Sequence, residues 1–276
     1  MAIYDINGND LLSYGKQYIG NMKPSGAYDI NLFGTIASSQ SPTHSQGMAI
    51  TGNTLAMLSD GGGILLYDLS TSTVIGEYSL ACASENNHAN SASFSTEQGT
   101  TYPLLYVSEC YGDHRCFVED IGTASSTTVQ TIAYANADGD YTSAFDWILD
   151  APCKKIMTYG ISGSKKLIKV FSLPNTNVSE VTLTEADVIE EWCPDDYAGE
   201  SLVTYQGNTV YGNIIYLPVS STERILAFDK TSHALVGKIN LTSDYGTFSE
   251  VEDVAIYNGK LMLSTNNRRL YEFDMS

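Results

Sequence analysis

Five apolar segments of this chain begin with side chains able to bind a ligand. The starting residues are Gln46, Asn90, Ser143, Glu200 and Glu252, and the residues two positions earlier are His44, His88, Tyr141, Ala198 and Glu250. Carboxylate and amide oxygens suit a hard cation such as Ca²⁺, and imidazoles suit a transition metal. The same set equally suits a sugar or another small polar molecule. The remaining interpretation is structural, with these side chains hydrogen-bonded to one another and to ordered water.

The fold decides whether these residues meet, and one strand-rich pattern recurs along the chain. Its clearest copy has four short runs of strand-forming residues, at 46–50, 54–59, 64–68 and 74–80. Turn signals such as Thr51-Gly52-Asn53 and Gly61-Gly62-Gly63 separate the runs. The last copy has runs at 252–256, 260–264 and 270–274. Short runs between tight turns predict antiparallel strands joined by hairpins.

Five copies of this pattern predict an all-β fold, a five-bladed β-propeller with four-stranded antiparallel blades. The copies begin about 50 residues apart, close to the ~40–50 residues of known blade repeats. The first strand of each blade lines the central channel of a propeller, so the starting residues are expected to meet at one mouth. For the fourth blade this strand is predicted at 200–204. The predicted fourth strands of blades one to four are 74–80, 128–134, 179–183 and 235–241.

The fifth copy ends after its third strand, and its missing strand has a candidate near the start of the chain. The run Tyr28–Ile36 precedes the first blade and matches the pattern of the fourth strands. Such an N-terminal strand would complete the last blade, close the ring and remove both open sheet edges. The predicted domains are therefore an N-terminal leader at 1–27 and one propeller at 28–276.

Two resemblances follow from these residues. The repeats, with strand ends such as Tyr67-Asp68 and Phe273-Asp274, resemble the blades of bacterial propellers in general. The opening run Met1–Asn9 resembles the leaders of tail-associated proteins of gut phages and prophages. The second resemblance implies a segment for attachment to a virion; the alternative is a strand that packs under the ring.

Composition narrows the partners. The net charge of −18 disfavours nucleic acid and anionic membrane surfaces, because both require a basic footprint. No apolar run is long enough for a membrane helix, and no secretory signal is visible, so a cytoplasmic or virion-associated location is expected. The five cysteines are scattered and odd in number, which favours free thiols.

No segment carries a recognised catalytic signature, so the sequence favours a non-enzymatic binding or scaffold propeller for a protein or carbohydrate. One alternative is a hydrolase resembling the five-bladed glycosidases, in which Glu200 and Glu252 act at the channel mouth and Glu109 and Asp60 lie within reach. Another is a structural propeller stabilised by a cation. No cofactor is expected apart from a calcium ion in the channel.

Overall fold

The chain forms five sheets arranged in a ring. The computed structural model describes residues 29–35, 46–86, 88–142, 144–199, 206–219, 224–241 and 250–274. In that part of the chain the predicted five-bladed propeller is confirmed, because each of the five sheets contains four antiparallel strands that follow one another from the channel outward.

Each blade has one innermost, two middle and one outer strand. Blade one contains β2 (Met48–Thr51), β3 (Thr54–Leu58), β4 (Gly63–Asp68) and β5 (Thr73–Ser79). Blade two contains β6 (Ala89–Gln98), β7 (Pro103–Glu109), β8 (Cys116–Ile121) and β9 (Ser126–Tyr134). Blade three contains β10 (Phe145–Asp150), β11 (Lys155–Ser162), β12 (Lys165–Ser172) and β14 (Val188–Trp192). Blade four contains β15 (Thr209–Tyr211), β16 (Ile214–Val219), β17 (Arg224–Asp229) and β18 (Leu235–Asn240). Blade five contains β19 (Val251–Tyr257), β20 (Lys260–Thr265), β21 (Arg269–Asp274) and β1 (Asp29–Thr35).

Helical structure is a minor part of the described chain. The two α-helices are Ala137–Asp140 and Pro194–Ala198, and both lie in connections between blades. Among the described residues, no helix has the length and apolar character needed to cross a membrane.

The core is divided among the junctions between blades, each of which holds its own cluster of buried apolar side chains. Successive side chains of a strand point to opposite faces of its sheet. In β3, therefore, Leu55 packs in the cluster shared with blade five, whereas Ala56 and Leu58 pack in the cluster shared with blade two. Burial on both faces explains why the middle strands are continuous apolar runs rather than alternating ones.

The predicted ring closure is confirmed. Strand β1 pairs antiparallel with β21, from Asp29 opposite Asp274 to Thr35 opposite Arg269. A strand from one terminus thus completes the blade formed by the other, and β21 is covered on its outer edge.

The predicted first strand of blade four, at 200–204, is wrong. The innermost strand of that blade is β15, which pairs with β16 across a turn at Gly212 and Asn213. Gly212 has φ +59°, the left-handed conformation that a two-residue hairpin turn requires. The local turn sets this register, whereas the spacing between repeats pointed to a segment nine residues too early.

The predicted fourth strand of blade three is also wrong. Residues 180–183 form β13 (Glu180–Leu183), which crosses to blade two and pairs in parallel with β9. The Gln130 side chain donates to the carbonyls of Asn175 and Val178, at 2.8 and 2.7 Å, and so holds the crossing segment. The fourth place in blade three is taken by β14, which pairs antiparallel with β12.

The direction of the innermost strands distinguishes the two ends of the ring. Each innermost strand begins at the end where the second and third strands of its blade are joined, as Ala89 opposite Glu109 shows for blade two. We call this the entry end, and we call the opposite end, where the innermost strands finish, the exit end.

Deletion of residues 28–36 tests the closure. Loss of β1 exposes the edge of β21 and removes one wall of a blade, so we expect aggregation and a melting temperature lower by roughly 10 °C. The measurement is light scattering with thermal unfolding, and deletion of 1–27 is the control. A monomeric product as stable as the control would contradict the closure.

Candidate functional site

A buried carboxylate joins the first and last blades at the channel. Asp253 lies in β19 with no exposed surface, and its Oδ2 accepts a hydrogen bond of 2.6 Å from the amide of Met48 in β2. Its Oδ1 accepts a second, of 2.7 Å, from the amide of Val254. Burial raises the pKa of Asp253 well above its ordinary value, against these two hydrogen bonds, which lower it. One oxygen therefore joins β19 to β2, and the other is hydrogen-bonded within β19.

A second buried carboxylate joins blades two and three. Asp146 in β10 accepts hydrogen bonds from Asn90 Nδ2 at 2.5 Å and from the Ser108 hydroxyl at 2.9 Å. Ser108 in turn accepts the amide of Trp147 at 3.0 Å. Burial raises the pKa of Asp146 to about 6, although the hydrogen bonds from Asn90 and Ser108 lower it.

The segment before β15 completes the wall on the side of blade four. The amide of Gly207 donates to the carbonyl of Glu252 at 2.7 Å. The Asn208 side chain donates to the carbonyl of Trp147 at 3.2 Å, and its amide donates to the Ser91 hydroxyl at 3.3 Å. Gly207 also lies against Asp253, where a Cβ would overlap the carboxyl group. Blade four therefore contacts three other blades through backbone groups and one amide side chain.

Four of the eight predicted ligand-binding residues are buried within the protein. Asn90 belongs to the Asp146 network. Gln46 is buried, and its backbone N–H donates a hydrogen bond to the carbonyl of Leu58. Glu252 is 1% exposed. Tyr141 lies in the apolar cluster between blades two and three, with its ring tilted against that of Phe145 and its hydroxyl 2.6 Å from that of Thr158.

A fifth residue, His88, has a side chain that is 27% exposed. The other three, His44, Ser143 and Glu200, lie outside the described residues. The predicted convergence of all eight therefore stays a prediction.

One group of polar side chains at the entry end surrounds His88. Its Nδ1 contacts Asp60 Oδ1, from the turn between β3 and β4, and its ring lies 5.2 Å from that of Tyr111 in an edge-on arrangement. Tyr111 is 50% exposed, and the Asp60 side chain is 61% exposed. The Nε2 atom of His88 makes no hydrogen bond to any residue that the structure describes. One face of this group is therefore open to a ligand.

The backbone holds His88 in this position at a cost. Its φ of +68° is left-handed, which is unfavourable by about 1–2 kcal/mol for a residue other than glycine. Its carbonyl accepts hydrogen bonds from the backbone amides of Asn90 at 2.8 Å and Cys110 at 3.0 Å. The amide of Ala89 donates a hydrogen bond to the carbonyl of Asp60. Strain that surrounding hydrogen bonds maintain is typical of functional positions.

A buried lysine, Lys166, lies within electrostatic range of Asp195 and Asp146. Lys166 in β12 has no exposed surface, its backbone amide donates to Asp195 Oδ2 at 2.6 Å, and its ammonium lies 5.8 Å from the ring of Tyr159. Desolvation lowers the pKa of Lys166 to about 7, opposed by the charges of Asp195 and Asp146. Its positive charge therefore partly balances the charges of Asp195 and Asp146.

The other predicted acids have structural partners. Glu109 is 1% exposed and bonded to the Arg115 guanidinium, with Nε to Oε2 at 3.0 Å. Glu250 accepts hydrogen bonds of 3.3 Å from Gln206 and Asn266. The described residues contain no group of three or more His, Cys, Asp and Glu side chains able to hold a metal ion. The calcium and transition-metal sites remain predictions.

The residues that hold the channel together carry almost no signal in the sequence. Asp146 and Asp253 stand among apolar residues of the predicted first strands, and their partners in other blades lie 38 to 205 residues away along the chain. The position of Tyr111 beside His88 depends on the turn between β7 and β8, which sequence spacing does not position. An acidic residue inside an otherwise apolar innermost strand is the one hint in the pattern.

The pH dependence of stability tests the burial of Asp146. Its pKa rises from 3.8 to about 6 on folding, so the native state holds the proton more tightly. Stability is therefore fully present below pH ~4 and falls by about 3 kcal/mol as the pH rises through 6. Urea unfolding of wild type and Asp146→Asn across pH 4–7 should show a flatter profile for the variant. Identical profiles would contradict the assignment.

Substitution of Gly207 tests the packing against Asp253. A Cβ here overlaps the buried carboxyl, so Gly207→Ala should lower the free energy of unfolding by about 2–4 kcal/mol. Gly61→Ala is the matched control, because nothing lies within 4 Å of a Cβ at that turn. Equal stabilities of the two variants, measured by urea unfolding, would show that the contact is unimportant.

Comparisons with known proteins place this arrangement among the propellers. The sequence matches no protein-family profile, and no curated protein is significantly similar to it. Among solved structures, glutaminyl cyclase of Myxococcus xanthus is similar, with a TM-score of 0.57 and 12% identity over 90% of this chain and 95% of that one. The PQQ-bound aldose sugar dehydrogenase of Streptomyces coelicolor is similar with a TM-score of 0.51 and 12% identity, over 91% of this chain and 99% of that one. At such identities the likeness extends to the fold alone, and the chain has the fold of a β-propeller.

Proposed function

We propose that this protein is a non-enzymatic binding propeller that recognises a carbohydrate at the entry end of its channel. The observation that carries the proposal is the group formed by His88, Asp60 and Tyr111, in which a strained backbone holds an imidazole between a carboxylate and an exposed aromatic ring. We call these three residues the entry group.

The entry group has the chemistry that a sugar requires. A tyrosine ring offers an apolar face together with a polar hydroxyl. A carboxylate and an imidazole supply an acceptor and a second hydrogen-bonding atom for neighbouring hydroxyl groups. Few, well-placed polar groups beside an aromatic surface are typical of small-ligand sites.

Charge defines the class of sugar. The protein carries a net charge of −18, and Asp60 lies within the entry group itself. Anionic glycans would be repelled, so the proposed ligands are neutral or amino sugars.

The buried carboxylates support binding over catalysis. Asp146 and Asp253 are fully buried and hydrogen-bonded within the wall, and Glu252 is 1% exposed. A glycosidase needs two carboxyl groups that reach the substrate. The hydrolase alternative relied on Glu200 and Glu252. Glu200 lies outside the described residues, so that alternative remains a prediction.

The predicted association with a virion relies on the leader at residues 1–27, which also lies outside the described residues.

Glycan binding by wild type and two variants tests the proposal. A glycan array followed by calorimetry should show binding of neutral or amino glycans, and Tyr111→Ala or His88→Ala should weaken it at least tenfold. Tyr197→Ala is the matched control, since Tyr197 is 44% exposed but packs near Trp192, away from the entry group.

Two results would contradict the proposal. One is the absence of binding to any glycan, and the other is equal binding by wild type and Tyr111→Ala. Cleavage of a bound polysaccharide would replace the binding function with the hydrolase alternative.

A further inference from the structure

The exit end of the channel contains an apolar cavity that the entry group does not explain. Its volume is about 270 Å³, and residues in or just after each of the five innermost strands line it. Large apolar side chains around it are only half-buried, among them Ile50, Phe94, Val210, Tyr211 and Ile256. We call this space the exit cavity. A concave apolar surface that a protein leaves in contact with water is typical of a ligand-binding site.

Polar contacts of the channel wall lie directly inside the exit cavity. Asn208 precedes the lining residue Thr209, and its side chain donates to the carbonyl of Trp147. Its backbone amide donates to the Ser91 hydroxyl of blade two. Blades two and four are not neighbours in the ring, so this contact crosses the channel. The exit cavity is therefore separated from the entry group at the opposite end.

The lining of the exit cavity favours an uncharged ligand. None of its side chains carries a charge at neutral pH. Asp150 stands between the lining residues Leu149 and Ala151, but it is 1% exposed, and its Oδ2 accepts a hydrogen bond of 2.6 Å from Lys230. A charged group that entered would lose its hydration without gaining a partner of opposite charge. The net charge of −18 would in addition repel an anion.

Aromatic rings and hydroxyl groups of the lining define the ligand further. Phe94 of blade two and Tyr211 of blade four contribute rings from blades that are not neighbours, and aromatic side chains pair favourably with aromatic groups. Ser93 and Thr209 contribute hydroxyls that make no hydrogen bond to any part of the chain that the structure describes. Each hydroxyl can donate to or accept from a polar group of a ligand.

The volume of the exit cavity sets the size of the ligand. An apolar protein cavity of ~150 Å³ holds one benzene molecule, so in proportion about ten non-hydrogen atoms fill a cavity of 270 Å³. A single aromatic ring with a short polar substituent has this size.

We propose that the exit cavity binds a small uncharged molecule composed of an aromatic ring and one polar group. The ring packs against the apolar lining, and the polar group forms hydrogen bonds with Ser93 and Thr209. This site is independent of the glycan proposal, because it uses no residue of the entry group.

Calorimetric titration with phenylacetamide tests this site, and phenylacetate is the matched ligand, since it has the same size but carries a negative charge. We expect phenylacetamide to bind with a dissociation constant below ~1 mM and phenylacetate to bind at least tenfold more weakly. Ser93→Trp places a large side chain in the cavity and should weaken the binding of phenylacetamide at least tenfold. Thr209→Trp is the second cavity variant, used where Ser93→Trp fails to fold by circular dichroism.

Val74→Trp is the matched control, because Val74 is 48% exposed on the outer strand of blade one. It should leave the binding of phenylacetamide unchanged. The absence of phenylacetamide binding would overturn the proposal, as would equal binding of phenylacetate. Binding that the cavity variants do not weaken, or that Tyr111→Ala abolishes, would also overturn it, because the ligand would then lie outside the exit cavity.

Discussion

The hydrogen bond from the amide of Met48 to the carboxylate of Asp253 is the contact on which the ring most depends. It joins the first and last blades at the channel, across 205 residues of sequence. A buried carboxylate is costly unless its oxygens are bonded, and here two backbone amides bond them. Asp146 does the same between blades two and three, where Asn90 and Ser108 supply the donors. The innermost strands are short, so such side-chain contacts supplement the apolar junctions in fixing how neighbouring blades meet.

This arrangement limits where function can lie. The buried carboxylates Asp146 and Asp253 join blades, and their burial keeps them from a substrate. The two ends of the channel remain, and they differ in chemistry. The entry end holds a strained histidine beside an exposed tyrosine and an aspartate, which suits a polar ligand. The exit end is an uncharged cavity, which suits an apolar ligand.

Local patterns predicted most of the fold, and long-range contacts account for what they missed. The closing strand β1 was predictable because an incomplete fifth copy requires a partner, and 28–36 has the right pattern. The spacing of repeats misplaced β15, because the turn at Gly212 sets its register. It also missed β13, which leaves its own blade to pair with β9. His88 was singled out by its place before a first strand, but its partner Asp60 comes from another blade, which no local signal reveals.

Closure of the ring by β1 of the same chain can be tested with a cross-link. Leu32 lies opposite Tyr271 in the pairing of β1 with β21, so cysteines at these positions should form a disulfide under oxidation. The measurement is the mass and melting temperature of oxidised Leu32→Cys/Tyr271→Cys, with each single variant as a control for the native thiols. We expect a monomer with one intramolecular disulfide, between the introduced cysteines, and a higher melting temperature. Disulfide-linked dimers, or no cross-link at all, would contradict closure within one chain.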